Sequence, residues 1–350
     1  MIRIPKRTLI IDISNILFRV AAVQKHKNPY AKDSPPEELV GLCMHISLYS
    51  IHKFYSKYQP DFVIFAFEGD YGKGKDSGNW RKTFTAAARS RKAYKGNRVV
   101  DPAMAHYYGL MDSFKKTMKA HTSVCCLSVD TMEADDVIAG YCQLYSSPEH
   151  EIYIVSGDRD YIQLLKLPGV HLINPDNGKL RNQPGDKEYE PDIDYWLFYK
   201  CVRGDMGDYV PSAFPRVKET RIRKAYNEAY ERVNFMNETW TDENGVLHKV
   251  GDLYEENVKL LSLYDQPAEQ RQILLDGIKS QINTVGNYAH FHFLRFLDEF
   301  QLNAIRKDST KFVDMFSNNQ LFFKGLKEIK PLTKPKDAPI VPATPGLLGF

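Results

Sequence analysis

Two carboxylates directly follow a short apolar segment in the middle of the chain, within the stretch EIYIVSGDRDYIQLL at residues 151–165. The segment from Ile152 to Val155 has the β-branched and aromatic side chains of a buried strand, and Asp158 and Asp160 come just after it. Acids at the end of a buried strand either mark the point where the chain reaches solvent or hold a cation. The other acids of the chain bear on that choice.

Seven more acids lie at or near the ends of apolar segments elsewhere in the sequence. They are Asp12, Glu68, Glu133, Asp135, Asp136, Asp205 and Asp208. Taken singly, such a residue is more often a turn former, a helix cap or a partner of the helix dipole. If the strands form one parallel sheet, however, their carboxyl ends meet, and all of these acids share a single cleft.

Many carboxylates in one cleft would favour a bound cation. Like charges repel and raise one another's pKa, and a divalent metal is the simplest compensation. Oxygen ligands select Mg²⁺ or Mn²⁺ over zinc. Two Mg²⁺ ions about 4 Å apart are the arrangement used for in-line displacement at a phosphodiester. The acids therefore predict two-metal phosphodiester hydrolysis with two Mg²⁺ ions, which Mn²⁺ would be able to replace.

The predicted secondary structure would bring these acids together. Strands are predicted at 8–13, 61–67, 123–129, 152–155 and 171–173, and helices at 37–58, 101–120, 133–145 and 161–166. Strands separated by helices pair in parallel and bury both faces of the sheet. The predicted fold class is therefore α/β, with a mostly parallel sheet and helices on both faces.

Beyond the turn-rich residues 178–185 the pattern is mostly helical. Helices are predicted at 191–203, 216–236, 252–263, 267–281 and 288–304, with a loop or hairpin at 237–246. The last twenty residues hold five prolines, which is typical of an extended segment. We expect an α/β domain over 1–185, a helical domain over 186–330 and a flexible tail over 331–350.

A basic segment at 73–98 interrupts the α/β pattern. It holds nine Lys or Arg residues and one acid, mixed with Trp80, Phe84 and Tyr94. A solvated charge run is one interpretation. The mixture of basic and aromatic side chains favours another, in which the segment contacts phosphates and stacks on bases. The segment therefore predicts nucleic-acid binding.

The composition fits an ordinary globular protein, with 43% apolar and 26% charged residues and a net charge of +3. No apolar run approaches the ~18–20 residues of a membrane helix. The N-terminal apolar run ends at Asp12, so it is interpreted as a strand and not as a signal peptide. The five cysteines include no C-x-x-C pair and predict free thiols in a reducing cytoplasm.

Four motifs resemble those of the 5′ nuclease superfamily, which comprises flap endonucleases, the 5′–3′ exonuclease domains of bacterial DNA polymerase I, and phage exonucleases. The motifs are TLIIDIS, EADDVIAGY, IVSGDRDYIQLL and VRGDMGDYVP, and they span residues 8–211. The resemblance is strongest to the ribonucleases H of T-even-like phages. It implies a PIN-like α/β domain, followed by a helical domain that binds duplex DNA.

The activity that the resemblance implies is that of a Mg²⁺-dependent 5′–3′ exonuclease and flap endonuclease with RNase H-type activity. Such an enzyme removes RNA primers and 5′ flaps during lagging-strand DNA replication. The alternative is a non-catalytic protein that binds forked DNA or a clamp, but a binder gains nothing from acids that face phosphate. A PIN-type ribonuclease acting on folded RNA is a weaker option, because such domains usually lack the acids at 205–208.

The resemblance also gives each acid a role. The first metal and its outer sphere would take Asp12, Glu68, Glu133, Asp135 and Asp158. The second metal would take Asp136, Asp160, Asp205 and Asp208. Family members most often have Asp where this chain has Glu68, and Asp70 is close enough to be a rival for that role.

In the family, a basic helical segment over the active site threads or clamps the 5′ single strand. The residues carried over are Arg81, Lys82, Arg89, Arg91, Lys92, Tyr94, Lys95 and Arg98, with Tyr94 as a base-stacking residue. Lys95 and Arg98 match the family's Y-K-x-N-R stretch and are expected to reach the scissile phosphate. They would act in catalysis together with Asp135 and Asp158. A helix C-terminal cation is the alternative for Arg98.

One departure from the family concerns the segment after VRGDMGDYVP. The family usually has a glycine-rich hairpin there that grips duplex phosphates, often with bound K⁺. This chain has PSAFPRVKETRIRKAY, without glycine, which argues against a K⁺ site near 211–218. Side chains would then bind the duplex in place of backbone amides, unless they form only a solvated helix face. The residues are Arg216, Lys218, Arg221, Arg223 and Lys224.

The chain ends in TPGLLGF. Its apolar residues Leu347, Leu348 and Phe350 either fold back on their own domain or dock in a partner, as the clamp-binding peptides of replication enzymes do. The expected partners are DNA and RNA–DNA hybrids, with a sliding clamp and a single-stranded DNA-binding protein, and no membrane. The expected location is the cytoplasm of a phage-infected bacterial cell.

Overall fold

A computed structural model of the chain describes residues 5–27, 36–70, 78–87, 93–96, 104–187, 189–282 and 286–321. Its centre is a sheet of five parallel strands in the order β3-β2-β1-β4-β5. The strands are β1 (Arg7–Asp12), β2 (Phe62–Ala66), β3 (Cys125–Leu127), β4 (Glu151–Val155) and β5 (Val170–Ile173). The predicted parallel α/β sheet is confirmed.

The strand order places a switch point beside β1, because the chain runs outward from β1 through β2 to one edge and through β4 to the other. Ligands of open α/β sheets bind at such points, beyond the carboxyl ends of the strands. Asp12 ends β1, and Asp158 follows β4 by three residues. The two acids therefore lie on either side of the expected crevice.

Both faces of the sheet are buried, which explains why its strands are continuous apolar runs. In β1, Leu9 and Ile11 face one core while Ile10 faces the other. The longer helices of the first core are α1 (Ile13–Lys27), α2 (Pro36–Tyr58), α4 (Met104–His121) and α11 (His290–Glu299). The second core includes α5 (Ala134–Tyr145), α10 (Ala268–Gln281) and a 3₁₀ helix at Asp160–Lys166.

A separate helical core is formed by residues that lie, in the sequence, between the sheet and the last helices. It is formed mainly by α6 (Ile193–Arg203), α7 (Glu219–Asn227), α8 (Ala229–Asn237) and α9 (Val250–Leu261). The strands β6 (Thr239–Thr241) and β7 (Leu247–Lys249) form the hairpin that was predicted at 237–246 as one alternative. The helix predicted at 216–236 is divided at Glu228 into α7 and α8.

The predicted helical domain over 186–330 includes helices whose buried faces join the sheet cores. Leu274 and Ile278 of α10 pack against the sheet, and so do Phe293 and Phe296 of α11. The short helices α12 (Asn303–Lys307) and α13 (Val313–Ser317) add Ile305 and others to the first sheet core. An amphipathic pattern shows that a helix has a buried face, but it does not show which partner covers that face.

Among the described residues, the helical pattern did not predict α1, α3 (Trp80–Ala87), α12 or α13. All five cysteines are free and buried. No helix among the described residues has both the length and the apolar character needed to cross a membrane.

Candidate active site

Asp12 is buried at the end of β1, and its carboxylate accepts three hydrogen bonds. The donors are the Asn15 backbone amide at 3.0 Å, the Ser156 hydroxyl at 3.1 Å and the Tyr161 hydroxyl at 3.0 Å. Burial raises the pKa of Asp12 to about 6, and the charge of Asp158 adds to the rise although the hydrogen bonds oppose it. Asp12 is therefore a carboxyl group with too little positive charge around it.

The turn after β4 holds the two aspartates of the SGDRD segment close to Asp12. The Asp158 amide donates to the Ser156 hydroxyl at 3.1 Å, and the Asp160 amide donates to Oδ1 of Asp158 at 2.9 Å. Gly157 leaves room for the Arg19 side chain, since a Cβ atom there would lie 2.5 Å from its Nη1 and the arginine would have to move. The two acids, both partly buried, thus follow the strand in a turn that is packed against β1 and α1 through Ser156 and Gly157.

Lys200 of α6 links Asp160 to Asp205. Its Nζ atom contacts Oδ1 of Asp160 and lies 3.1 Å from Oδ2 of Asp205. Burial raises the pKa of Asp160 to about 6, although Lys200 opposes the rise. Burial also acts to raise the pKa of Asp205, but Lys200 and two backbone amides outweigh it and the pKa is lowered.

A tight loop after α6 brings Asp205 and Asp208 to the cluster. Gly204 has φ of 73°, and a Cβ atom there would lie 2.4 Å from the carbonyl oxygen of Val210. The amide of Asp208 donates to Oδ1 of Asp205 at 3.3 Å. Glycine at position 204 therefore allows the loop to close on itself with both acids at its base.

The EADD motif begins α5, and its last acid is paired with a buried arginine. Nη1 and Nη2 of Arg81 lie 2.7 and 2.8 Å from the two carboxylate oxygens of Asp136, which is fully buried. Trp80 Nε1 and Gln266 Nε2 donate to the same carboxylate at 3.0 and 3.1 Å. Burial acts to raise the pKa of Asp136, but Arg81 and these hydrogen bonds outweigh it and lower the pKa.

Glu133 caps the same helix and receives cations from two sides. Nη1 of Arg81 lies 3.1 Å from its Oε2, and Nζ of Lys95 contacts its Oε1. The Tyr94 hydroxyl lies 2.9 Å from Oε2 of Glu133 and 2.9 Å from Oδ2 of Asp208. The Y-K pair of the basic segment therefore lies on the acids, and it joins α5 to the loop after α6.

Asp135 is the acid of this motif with the weakest compensation. Its Oδ1 lies 3.9 Å from Nη1 of Arg81, and its side chain keeps 19% of its exposure. Burial raises its pKa well above the usual value, although Arg81 acts against the rise, and the charges of Asp136 and Glu133 add to it. Adjacent residues of one motif thus have opposite environments, since Asp136 is neutralised within the protein and Asp135 is not.

Glu68 and Asp70 follow β2 on the neighbouring side of β1. Glu68 is half-buried, and Lys115 Nζ lies 3.3 Å from its backbone oxygen. The Asp70 side chain is 89% exposed. Of the two acids considered for the surroundings of the first metal, Glu68 is therefore the more buried.

The donor set suits a hard divalent cation, although the described residues contain no group of three or more His, Cys, Asp or Glu side chains arranged to hold a metal ion. The chain's own cations, Arg81, Lys95 and Lys200, contact these carboxylates instead. All the donors are carboxylate oxygens, the ligands that Mg²⁺ and Mn²⁺ take. Asp12 and Asp135 keep raised pKa values, so positive charge is still lacking at the centre.

Two residues that were expected to contact nucleic acid, Arg81 and Tyr94, are buried in the protein. Arg81 is 1% exposed and Tyr94 is 3% exposed, so neither side chain presents a free surface to a phosphate or a base. Lys82, by contrast, is exposed. Both buried residues are held by the acids that the same prediction assigned to metal. Arg89, Arg91, Lys92 and Arg98 lie outside the described residues, as do Leu347, Leu348 and Phe350.

The basic residues around α7 are on the surface. Arg216, Lys218 and Arg221 are exposed. Arg221 pairs with Glu238, while Arg223 pairs with Glu190 at 2.7 Å and Lys224 with Glu231 at 2.7 Å. Among the described residues, acids therefore engage the three basic side chains on α7 itself, whereas Arg216 and Lys218 precede the helix.

Sequence reasoning missed Lys200 and the pairing of Arg81 with Asp136. Lys200 lies in the last turn of α6, where a basic residue is ordinarily interpreted as a partner of the helix dipole. Its spacing from Asp205, five residues later across a glycine, was the available signal. For Arg81 the neighbouring Trp80 was a signal, because a tryptophan at the start of a basic helix indicates a buried side.

Comparison with known proteins identifies relatives of the chain. A family model described as 5′-3′ exonuclease, N-terminal resolvase-like domain, matches residues 7–190. Ribonuclease H of Enterobacteria phage T4 is 30% identical over 142 residues, which cover 39% of this chain and 43% of that protein. Flap endonuclease Xni of Shewanella loihica is 25% identical over 207 residues, which cover 59% of this chain and 70% of that protein. The match thus spans less than half the length of the phage ribonuclease H.

Two solved structures share the fold. The T5 5′-exonuclease with bound divalent metal ions (zinc) has a TM-score of 0.52 at 18% identity, covering 79% of this chain and 99% of that chain. The bacteriophage T5 flap endonuclease, in a pseudo-enzyme-product complex with DNA and metal ions, has a TM-score of 0.50 at 17% identity, covering 79% and 98%. At these identities the likeness establishes the fold of an α/β sheet with a mostly helical C-terminal region.

Proposed function

Since the chain belongs to the 5′-3′ exonuclease family of metal-dependent phosphodiesterases, we propose that it is a Mg²⁺-dependent 5′ nuclease. Its substrates would be the RNA primers and 5′ flaps of lagging-strand DNA replication. Relatives named ribonuclease H and flap endonuclease support this substrate class, and so does a structural neighbour crystallised with DNA and metal ions.

The observation that carries the proposal is a ring of acids linked partly by direct contacts and partly by the electrostatic effect of neighbouring charges. Direct contacts run from Asp158 to Asp160, through Lys200 to Asp205, and on through Asp208 and Tyr94 to Glu133. The Tyr161 hydroxyl donates to Asp12, and the remaining links, from Asp158 to Asp12 and from Asp135 to Glu133 and Tyr161, are electrostatic. A group of acids this dense has no use in binding phosphate unless cations are bound with it.

The residues that would hold two metal ions follow from this ring. Asp12, Glu133, Asp135 and Asp158, with Glu68, would surround the first ion, and Asp160, Asp205 and Asp208 would surround the second. Asp136 would instead position α5, because side chains of the protein already donate hydrogen bonds to both of its carboxylate oxygens. Bound metal would supply an activated water and would stabilise the leaving oxygen.

Lys95 would act on the substrate in the proposed reaction. Its ammonium group lies on Glu133, and 3.9 Å from Oδ2 of Asp208, at the edge of the acidic ring. A cation at this edge would stabilise charge that develops on the scissile phosphate. Replacing Lys95 with Ala should lower kcat by roughly 10²-fold or more, the scale for losing one transition-state donor. Replacing the exposed Lys82 with Ala is the matched change and should raise KM, because it would remove only a contact with the phosphate backbone of the substrate.

The test uses a 5′-labelled flap and an RNA–DNA hybrid, each with Mg²⁺ and with EDTA. Cleavage products are expected only with the metal. Asp135→Asn should abolish cleavage while DNA binding is retained, because the change removes negative charge. Asp276→Asn, at an exposed site on α10, is the matched control and should leave cleavage unchanged. Tight fork binding without cleavage under any metal would instead support the non-catalytic alternative.

The cellular role follows the substrate in this proposal. Primer removal would place the chain at a replication fork, in the cytoplasm of a phage-infected bacterial cell. Contacts of its C-terminal residues with a sliding clamp, and contacts with a single-stranded DNA-binding protein, belong to the same proposal. Deleting the last five residues and measuring affinity for the clamp would test the first contact, and unchanged affinity would reject it.

A further inference from the structure

Helix α6 presents four residues to a cleft beside the acidic ring. Trp196, Tyr199, Lys200 and Arg203 have the spacing i, i+3, i+4 and i+7, which places them on one helix face. The cleft has a volume of about 430 Å³, and its other side is formed by the turn after β4 and by Gly204 and Asp205. This volume lies within the range of about 300–1,000 Å³ that is usual for ligand sites.

The wall of this cleft combines aromatic and cationic groups. Nζ of Lys200 lies 5.7 Å from the ring centre of Trp196, and the guanidinium carbon of Arg203 lies 5.3 Å from that of Tyr199. Both rings are partly exposed. Lys200 is committed to Asp160 and Asp205, whereas no acid among the described residues lies within ion-pair distance of Arg203. One cation of the wall is therefore available to an anion from outside.

These groups match the chemistry of a nucleotide. A base offers a flat face that stacks on an aromatic ring whatever its sequence, and a phosphate offers an anion for an arginine. The acids at the base of the cleft would repel a purely anionic ligand such as an acidic peptide. A nucleotide avoids this conflict because its neutral base can lie over the wall while its phosphate points to Arg203.

We propose that this cleft is a nucleotide subsite, in which a base of the substrate strand next to the scissile phosphodiester stacks on the Trp196–Tyr199 wall and its phosphate contacts Arg203. The subsite deepens the proposed function and rests on it, because it places the strand against the acidic ring. It also supplies the stacking platform that the buried Tyr94 cannot provide.

The packing of the two rings offers a competing explanation. Trp196 contacts the second sheet core and Tyr199 contacts the helical core, so both rings contribute to stability. A purely structural role predicts changes in unfolding that are independent of DNA. It predicts no change in the environment of a substrate base, and this difference is the basis of the test.

The experiment places 2-aminopurine in the flap, at the nucleotide next to the scissile linkage, and follows its fluorescence on mixing with the full chain. The measurement is made at equilibrium in EDTA and by stopped flow in Mg²⁺. Quenching is expected with the wild type and with Trp196→Phe. Trp196→Leu and Tyr199→Leu should lose most of the quenching. Each should also raise KM by about tenfold, which is the scale for one lost base stack, and should change kcat less.

Two controls separate stacking from general effects. Tyr230→Leu removes a ring that is 76% exposed on α8, and it should leave quenching and KM unchanged. Arg203→Gln, which removes no ring from either core, should reduce the salt dependence of DNA affinity by about one phosphate contact. Arg306→Gln, at an exposed arginine paired with Asp298, should not change the salt dependence.

The outcomes distinguish the subsite from the nuclease assignment. Cleavage by the wild type without quenching in either condition, or an unchanged salt dependence in Arg203→Gln, would overturn the subsite and leave the nuclease standing. Quenching that depends on Trp196 and Tyr199 in a chain that cleaves no 5′ substrate would overturn the nuclease and retain the nucleotide contact. Quenching in the wild type, together with a higher KM in Trp196→Leu and Tyr199→Leu, would support both the subsite and the nuclease assignment.

Discussion

Nζ of Lys200 lies 3.1 Å from Oδ2 of Asp205, and the same ammonium group contacts Asp160 on its other side. The lysine side chain is only 12% exposed, so its charge is used inside the protein. The chain thus provides its own cation at the place where the second metal ion is proposed. A divalent ion that binds Asp160 and Asp205 would have to compete with this cation.

This competition predicts the effect of Lys200→Met on metal affinity. Removing the lysine leaves two carboxylates without their shared cation, so Mn²⁺ should bind more tightly, by about tenfold or more if even one such ion pair no longer competes. The metal-free variant should also unfold at a lower temperature, because unpaired buried charges remain. Isothermal titration calorimetry with Mn²⁺ measures the first effect, and thermal unfolding in EDTA measures the second.

Lys166→Met is the control for this prediction. Lys166 pairs with Asp194 at 3.2 Å, but its side chain is 37% exposed and Asp194 is not one of the acids of the ring. Its removal should change neither Mn²⁺ affinity nor unfolding by more than a small amount. Weaker Mn²⁺ binding in Lys200→Met than in the wild type would show that the lysine supports the ion and does not compete with it.

The pairing of Arg81 with Asp136 predicts a large loss of stability on truncation. In Arg81→Met, the fully buried Asp136 loses its two-pronged partner, and the free energy of unfolding should fall by about 3–5 kcal/mol. Urea unfolding measures the change. Lys82→Met, at the next residue on an exposed position, should stay within about 0.5 kcal/mol of the wild type. The double variant Arg81→Met, Asp136→Leu should recover part of the loss, and an additive double loss would contradict the coupling.

The sheet and the gathering of the acids could be predicted because both depend on local patterns. Runs such as Phe62–Ala66 are buried on both faces, and a continuous apolar run is the signature of such a strand. Once the strands are parallel, the acids after them must lie at one edge. The positions of Asp12, Asp158 and Asp160 therefore follow from the order of elements alone.

Whether a basic side chain points into the protein or into solvent could not be predicted in the same way. Arg81 and Lys82 are adjacent in one basic run, yet one is buried in the acidic ring and the other is exposed. The difference is set by the helix face that α3 turns towards α5, which is a tertiary contact. The same reason explains α11, whose amphipathic pattern was visible while its partner, the first sheet core, was not.

The raised pKa of Asp12 predicts a pH dependence for the metal-free protein. A carboxyl with a folded-state pKa of about 6 and an ordinary value of 3.8 binds more protons when folded, so its contribution to stability decreases as pH rises through this interval. Asp12→Asn removes that penalty. Its advantage over the wild type should therefore grow by about 1–2 kcal/mol between pH 4.5 and 7.5.

Urea unfolding in EDTA at several pH values measures this difference, because titrating groups beyond the electrostatic reach of Asp12 act equally on both proteins. Asp276→Asn is again the control and should show a constant difference from the wild type, since its side chain is 59% exposed. Adding Mg²⁺ should reverse the order of Asp12→Asn and the wild type at pH 7.5, because a bound cation favours the ionised carboxylate. A difference that shrinks with rising pH in EDTA would contradict the burial of an uncompensated charge.

The neighbours Asp135 and Asp136 predict opposite effects of the same substitution. Burial raises the pKa of Asp135, so Asp135→Asn removes a poorly compensated charge and should raise the thermal midpoint in EDTA. The pKa of Asp136 is lowered because Arg81 outweighs burial, so Asp136→Asn leaves that arginine underpaired and should lower the midpoint. Thermal unfolding of the two variants in EDTA decides the signs.

Metal binding separates the same pair in a second way. Asp135→Asn should weaken Mn²⁺ binding, because it removes a carboxylate that lacks a close cation within the protein. Asp136→Asn should alter Mn²⁺ affinity little in the protein that remains folded, because both oxygens of Asp136 are already occupied by Arg81. Calorimetry on both variants at a temperature well below their midpoints tests this division. Equal losses of Mn²⁺ affinity would mean that Arg81 gives way to the ion and that Asp136 is a ligand after all.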